Sequence, residues 1–137
     1  MNYVISITGP EALGVLEDIC EELALPLNVT LHGRGTAVQS MLDLLGIESN
    51  EKRVVLSTAT EEKTAALIKA QKRRLHIGVP GHGIVIAVPV KSIGGGKTVA
   101  YLMGEENKSA KTAPPSGYAY ELIVVVASEG QTDLVMN

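Results

Sequence analysis

Residues 76–90 read His-Ile-Gly-Val-Pro-Gly-His-Gly and then Ile-Val-Ile-Ala-Val-Pro-Val, a glycine-rich loop that feeds straight into an unbroken apolar run. Gly78, Gly81 and Gly83 stand close together with Pro80 between them. Glycine permits φ > 0 and close backbone approach, so such a loop can wrap a ligand with its own N–H groups. It can equally be a tight helix-to-strand turn that holds nothing. The run Ile84 to Val90 is too apolar to face water on either side, which predicts a strand in the middle of a sheet.

The rest of the chain supplies the other elements of that sheet. Tyr3 to Thr8 alternates, with Tyr3, Ile5 and Ile7 on one face and Val4, Ser6 and Thr8 on the other, the pattern of a half-buried strand. Gly9-Pro10 breaks it and opens a helix. Leu13, Leu16, Ile19, Cys20 and Leu23 then follow helical spacing up to Pro26. A second alternating strand runs from Leu27 to His32. After Gly33-Arg34-Gly35-Thr36, Val38, Met41, Leu42 and Leu45 predict a short helix over 37–45, stopped by Gly46. A polar stretch leads to a third strand around Arg53 to Ser57. Thr60 is the expected N-cap of the next helix, with Glu61 and Glu62 in its first turn and Lys72, Arg73 and Arg74 in its last.

The order is therefore βαββαβ, which predicts an α+β, ferredoxin-like sandwich: an antiparallel sheet with two helices on one face. The strands are apolar enough that the other face also needs cover, and association of several copies through it is the economical solution. Beyond residue 92 the composition changes. Residues 93–117 form a Gly/Lys/Pro-rich arm, and Tyr118 to Ala127 predicts an extra strand. Residues 128–137 look like the opening of a helix. The strand, the glycine-containing break and the acidic-apolar helix start echo residues 1–22, which suggests a truncated second repeat over 118–137.

Length and composition bound the function. A chain of 137 residues fits one domain of residues 1–92 plus this extension. With 45% apolar and 20% charged residues it reads as soluble and globular, and no apolar run approaches the ~20 residues of a membrane helix. The formal charge of -3, with Tyr3, Tyr101, Tyr118 and Tyr120 as the only aromatics, argues against a nucleic-acid partner. A single cysteine, Cys20, and a start without a basic leader point to the cytoplasm. Cys20 lies on an apolar stripe beside acidic neighbours, the setting of a buried spectator rather than a reactive thiol.

No catalytic constellation stands out. His32, His76 and His82 have no spacing that defines a metal site, and no serine elbow or carboxylate pair is present. Lys91-Ser-Ile-Gly-Gly-Gly-Lys97-Thr98 resembles the end of a phosphate-binding P-loop, but Lys91 stands where that motif needs glycine.

The βαββαβ order, Gly33-Arg34-Gly35 after strand two and Gly78-Val-Pro-Gly81-His-Gly83 before strand four together resemble the PII signal-transduction family, and more closely its divergent PII-like branch. The resemblance covers about residues 1–90. It implies a cytoplasmic homotrimer that binds an adenine nucleotide or another small anionic effector in clefts between subunits. Gly33, Arg34, Gly35 and Thr36 would form the base of the family's T-loop. Gly78, Gly81, His82 and Gly83 would form its phosphate-holding B-loop. The 34–50 loop would dock a protein target, and the chain would regulate, in nitrogen metabolism as the family does, rather than catalyse. Ile84 stands where nitrogen-regulatory members carry a phosphate-contacting lysine, and Lys91 and Lys97 are the cations left to replace it. A CutA-like trimeric metal-associated protein and a small ferredoxin-fold enzyme using His82 or Arg34 are the alternatives.

Overall fold

The computed structural model describes residues 1–36, 39–46, 50–94 and 117–136. Four strands form one antiparallel sheet: β1 (Asn2–Thr8), β2 (Leu27–Arg34), β3 (Glu51–Ala59) and β4 (Ile84–Pro89), in the order β2-β3-β1-β4. A short 3-10 turn, Pro10–Ala12, leads into α1 (Leu13–Glu22). α2 (Gln39–Leu45) sits between β2 and β3, α3 (Glu61–Leu75) between β3 and β4, and α4 (Thr132–Met136) near the end of the chain. This α+β arrangement is consistent with the expected ferredoxin-like sandwich.

Local hydrogen bonds close one end of each long helix. Thr60 caps α3, its hydroxyl oxygen accepting from Lys63 N at 3.1 Å. α1 ends where Ala24 turns into the left-handed region at φ 49°, letting Leu25 N donate to Cys20 O at 3.1 Å. Arg74 Nη1 then reaches both carboxylate oxygens of Glu22, at 3.0 and 3.1 Å, tying the two helices together.

The side of the sheet under the helices is more polar than the open one. Val4, Leu16, Ile19, Cys20, Val55, Ala59, Leu67 and Leu75 form the buried cluster. Completely burying each Leu or Ile contributes about 1.5–3 kcal/mol. Among them lie Asn2, Ser6, Thr8 and Ser57, also buried. Hydrogen bonds allow this: Gln71 Nε2 donates to Ser6 Oγ at 2.9 Å, and Asn2 Nδ2 to Thr64 Oγ1 at 3.1 Å.

The opposite face is almost wholly apolar. Its registers set Val29 beside Leu56, Leu56 beside Ile5 and Ile5 beside Ile86, with Leu31, Val54, Ile7 and Ile84 in the adjacent row. Val29, Leu31, Ile84 and Ile86 are exposed there, and no described helix covers them.

Several expectations change. Among the described residues β4 is an edge strand rather than a central one, because β1 alone pairs with it there. Its apolar character on both sides reflects the core on one face, where Val85 packs, and the bare open face on the other. β2 runs on to Arg34, and β3 begins at Glu51 and ends at Ala59. Pairing of Arg34 with Glu51 and Gly33 with Lys52 extends the ladder into the polar stretch. Tyr118 to Ala127 joins no ladder among the described residues, so the extra strand is not formed there. Strand-forming residues specify extension; a ladder also needs a partner edge. The helix opening at 128 shortens to α4. The helix expected over 37–45 is present as α2, with Ala37 and Val38 outside the described residues. Most of the 93–117 arm, residues 95–116, also lies outside them.

Candidate ligand-binding site

The glycine loop is built by the end of α3. His76 leaves the helix in the left-handed conformation, φ 54° and ψ 34°, and Ile77 plugs into the core at 5% exposure. Val79 N then donates to His76 O at 3.1 Å, His82 N to Val79 O at 2.9 Å and Gly78 N to Gly83 O at 3.0 Å. The last bond closes the loop on itself. Positive φ at Gly78, Gly81 and Gly83 makes this path possible. The side chains of His76 and His82 project from the closed loop and are exposed. Their rings meet edge to face, centres 5.8 Å apart and planes at 74°.

The second glycine group sits at the tip of β2. Arg34, exposed, faces Glu51 across the ladder. Gly35 N donates to Asn50 O at 2.8 Å, and Asn50 Nδ2 donates back to Gly35 O. This reciprocal pair clamps the base of the excursion that carries α2. Thr36, exposed, is the first residue beyond the clamp. Arg53 lies at the same end: its Nη1 donates to Lys52 O at 3.1 Å and its Nη2 lies 4.0 Å from Glu51 Oε2. Sequence reading passed over Lys52 and Arg53; a charged pair at the start of an otherwise apolar strand is the signal that could have marked them.

The eight expected site residues therefore fall into two groups. Ile84 pairs with Ile7, Ile7 with Val54 and Val54 with Leu31, so the glycine loop and the β2 tip lie at the same end of the sheet. They occupy opposite edges, however, and three strand spacings of about 4.8 Å put roughly 14 Å between them. One chain cannot close both groups around a small ligand.

Position 84 brings no charge to the loop, since Ile84 stands half exposed at the start of β4. Lys91 does not replace it. It lies past the far end of β4, roughly 20 Å from the loop at about 3.3 Å per residue, and contacts Glu121. Lys97 is outside the described residues. Cys20 is 2% exposed and 3.9 Å from Ser57 Oγ; burial pushes its thiol up from the ordinary value, as does Glu17, against the lowering effect of the Ser57 contact. Among the described residues no three or more His, Cys, Asp or Glu side chains cluster as a metal site, and no helix is long and apolar enough to cross a membrane. No protein-family model matches the chain, and no curated protein matches it in sequence.

Proposed function

We propose that the chain is a PII-like regulatory protein, a ferredoxin-fold sensor that binds a small anion between subunits of a homotrimer. The observation that carries this reading is the placement of the two glycine groups. They share one end of the sheet but sit on opposite edges, so a cyclic assembly brings the β2 tip of one copy to the glycine loop of the next. Arg34 then supplies the charge that the loop lacks, and the N–H groups of the glycine loop supply its cradle. The apolar open face, with Val29, Leu31, Ile84 and Ile86 exposed, gives the assembly its buried surface.

Signalling follows from the clamp. Ligand on Arg34 stiffens the Gly35–Asn50 base, shifts the population of the excursion that carries α2, and so changes its affinity for a target protein. With isoleucine at position 84, a ligand of lower charge than a nucleoside triphosphate is favoured, such as a nucleoside monophosphate. Residues 118–137 would then be the opening of a second copy of the unit, the apolar run that ends at Ala127 preceding Thr132 by the same number of residues that separates Thr8 from Leu13.

The test is a thermal-shift and calorimetric screen with AMP, ADP, ATP and bicarbonate, alongside light scattering. Binding of one anion by an oligomer supports the reading, because a ligand of the native state raises the midpoint by mass action. A monomer that binds none of them overturns it.

A further inference from the structure

We infer that the glycine loop holds a divalent transition metal between His76 and His82, in a two-imidazole site that the spacing of these residues in sequence does not announce. This goes beyond the anion-sensing reading and stands independently of it. Two imidazoles bound to one ion at about 2.0–2.1 Å place their ring centres roughly 5–6 Å apart. The observed separation is 5.8 Å. The edge-to-face orientation needs only side-chain rotation to aim a nitrogen of each ring at a common point, and both side chains are exposed and free to make it.

The backbone keeps the two within reach. The Gly78–Gly83 and Val79–His82 hydrogen bonds close the loop on which both histidines stand. His76 is held in the left-handed conformation, where glycine or asparagine is the usual helix terminator and a histidine costs about 1–2 kcal/mol. The third histidine, His32, is on the opposite edge of the sheet and takes no part.

Imidazole ligands suit nickel, copper and zinc, and two of them leave at least two coordination positions for water or an anion. A cation there would place positive charge beside Ile84, which brings none itself.

The experiment is a titration of the tag-free chain with Cu2+ and, separately, Zn2+, following copper by electron paramagnetic resonance and zinc by histidine nitrogen NMR. One ion per chain is expected, with nitrogen hyperfine structure from two imidazoles and zinc-induced shifts at His76 and His82 but not His32. His76→Gln and His82→Gln should each weaken binding at least tenfold, since even partners outside the ligand shell are worth about that much, whereas His32→Gln should leave it unchanged. Circular dichroism checks that each variant is folded, and the NMR shifts on the unaltered chain do not depend on any variant. Zinc shifts centred on His32, or equal copper affinity in the doubly substituted chain, would overturn the assignment.

Discussion

A Cβ at position 83 would lie 2.1 Å from the carbonyl oxygen of Ile7, which is backbone and cannot move aside. Gly83 is where the loop meets β1, and its φ of +99° is unfavourable for any residue with a side chain. Gly83→Ala therefore combines conformational strain of about 1–2 kcal/mol with overpacking of about 1–3 kcal/mol. A loss of roughly 2–5 kcal/mol in chemical denaturation is expected. Gly78 has a similar φ, +89°, but nothing within 4 Å of the added atom. Gly78→Ala should cost only the strain, about 1–2 kcal/mol. Equal losses in the two variants would mean that the contact with Ile7 is not formed.

His76 separates stability from binding. It occupies a left-handed helix terminus at φ 54°. His76→Gly relieves that conformation and should raise unfolding free energy by about 1 kcal/mol, while removing half of the two-imidazole site. Higher stability with lost copper affinity is the expected pair of results. A destabilised variant would show that the ring contact with His82 outweighs the backbone strain.

The open face gives a test of assembly. Ile86 lies in the cross-strand row with Ile5, Leu56 and Val29 and is 43% exposed in the single chain. Ile86→Lys adds a charge where association would bury it, a cost of several kcal/mol per ion. In light scattering, an oligomeric parent protein should fall apart into folded monomers. An oligomer that survives this change would be held by another surface.

Arg34→Ala tests the proposed anion site at the β2 tip. Hydrogen bonds to charged groups contribute about 1.5–3 kcal/mol, so affinity for a bound anion should drop roughly ten- to a hundredfold. Unchanged affinity in calorimetry would remove the β2 tip from the site.

The element order was legible in the sequence because Leu13, Leu16, Ile19 and Cys20 keep a helical period, and Tyr3 to Thr8 a strand period. Which face of β1 turns inward was not. Tyr3, Ile5 and Ile7 are the more apolar set, yet Val4, Ser6 and Thr8 are buried, because α1 and α3 cross that side and Gln71 satisfies Ser6 there. Periodicity identifies two faces without saying where the helices pack. Tyr118 to Ala127 shows the same limit: Leu122 to Val126 favour extension, but the edge they pair with is a tertiary matter. The glycine motifs were visible as motifs. Their separation to opposite edges, and the meeting of His76 with His82, depend on sheet order and on a loop closure that residue spacing does not encode.

Cys20 contributes to a fall in stability at alkaline pH. Burial raises its thiol above the ordinary value of 9.0, so the folded chain holds its proton to higher pH than the unfolded chain does. As pH rises past 9 the unfolded state loses that proton first, the folded state binds more protons, and unfolding free energy falls with pH. Below that point the contribution is fully present. Tyr3 acts in the same direction at higher pH, since burial raises its hydroxyl above 10.0. Urea midpoints should thus decline between pH 8 and about 10 in the parent protein. In Cys20→Ala the cavity lowers stability throughout, but the decline should be shallower. The native thiol should also resist modification at neutral pH and react once the chain unfolds. Parallel pH profiles for the two proteins would show that Cys20 ionises with equal ease in both states.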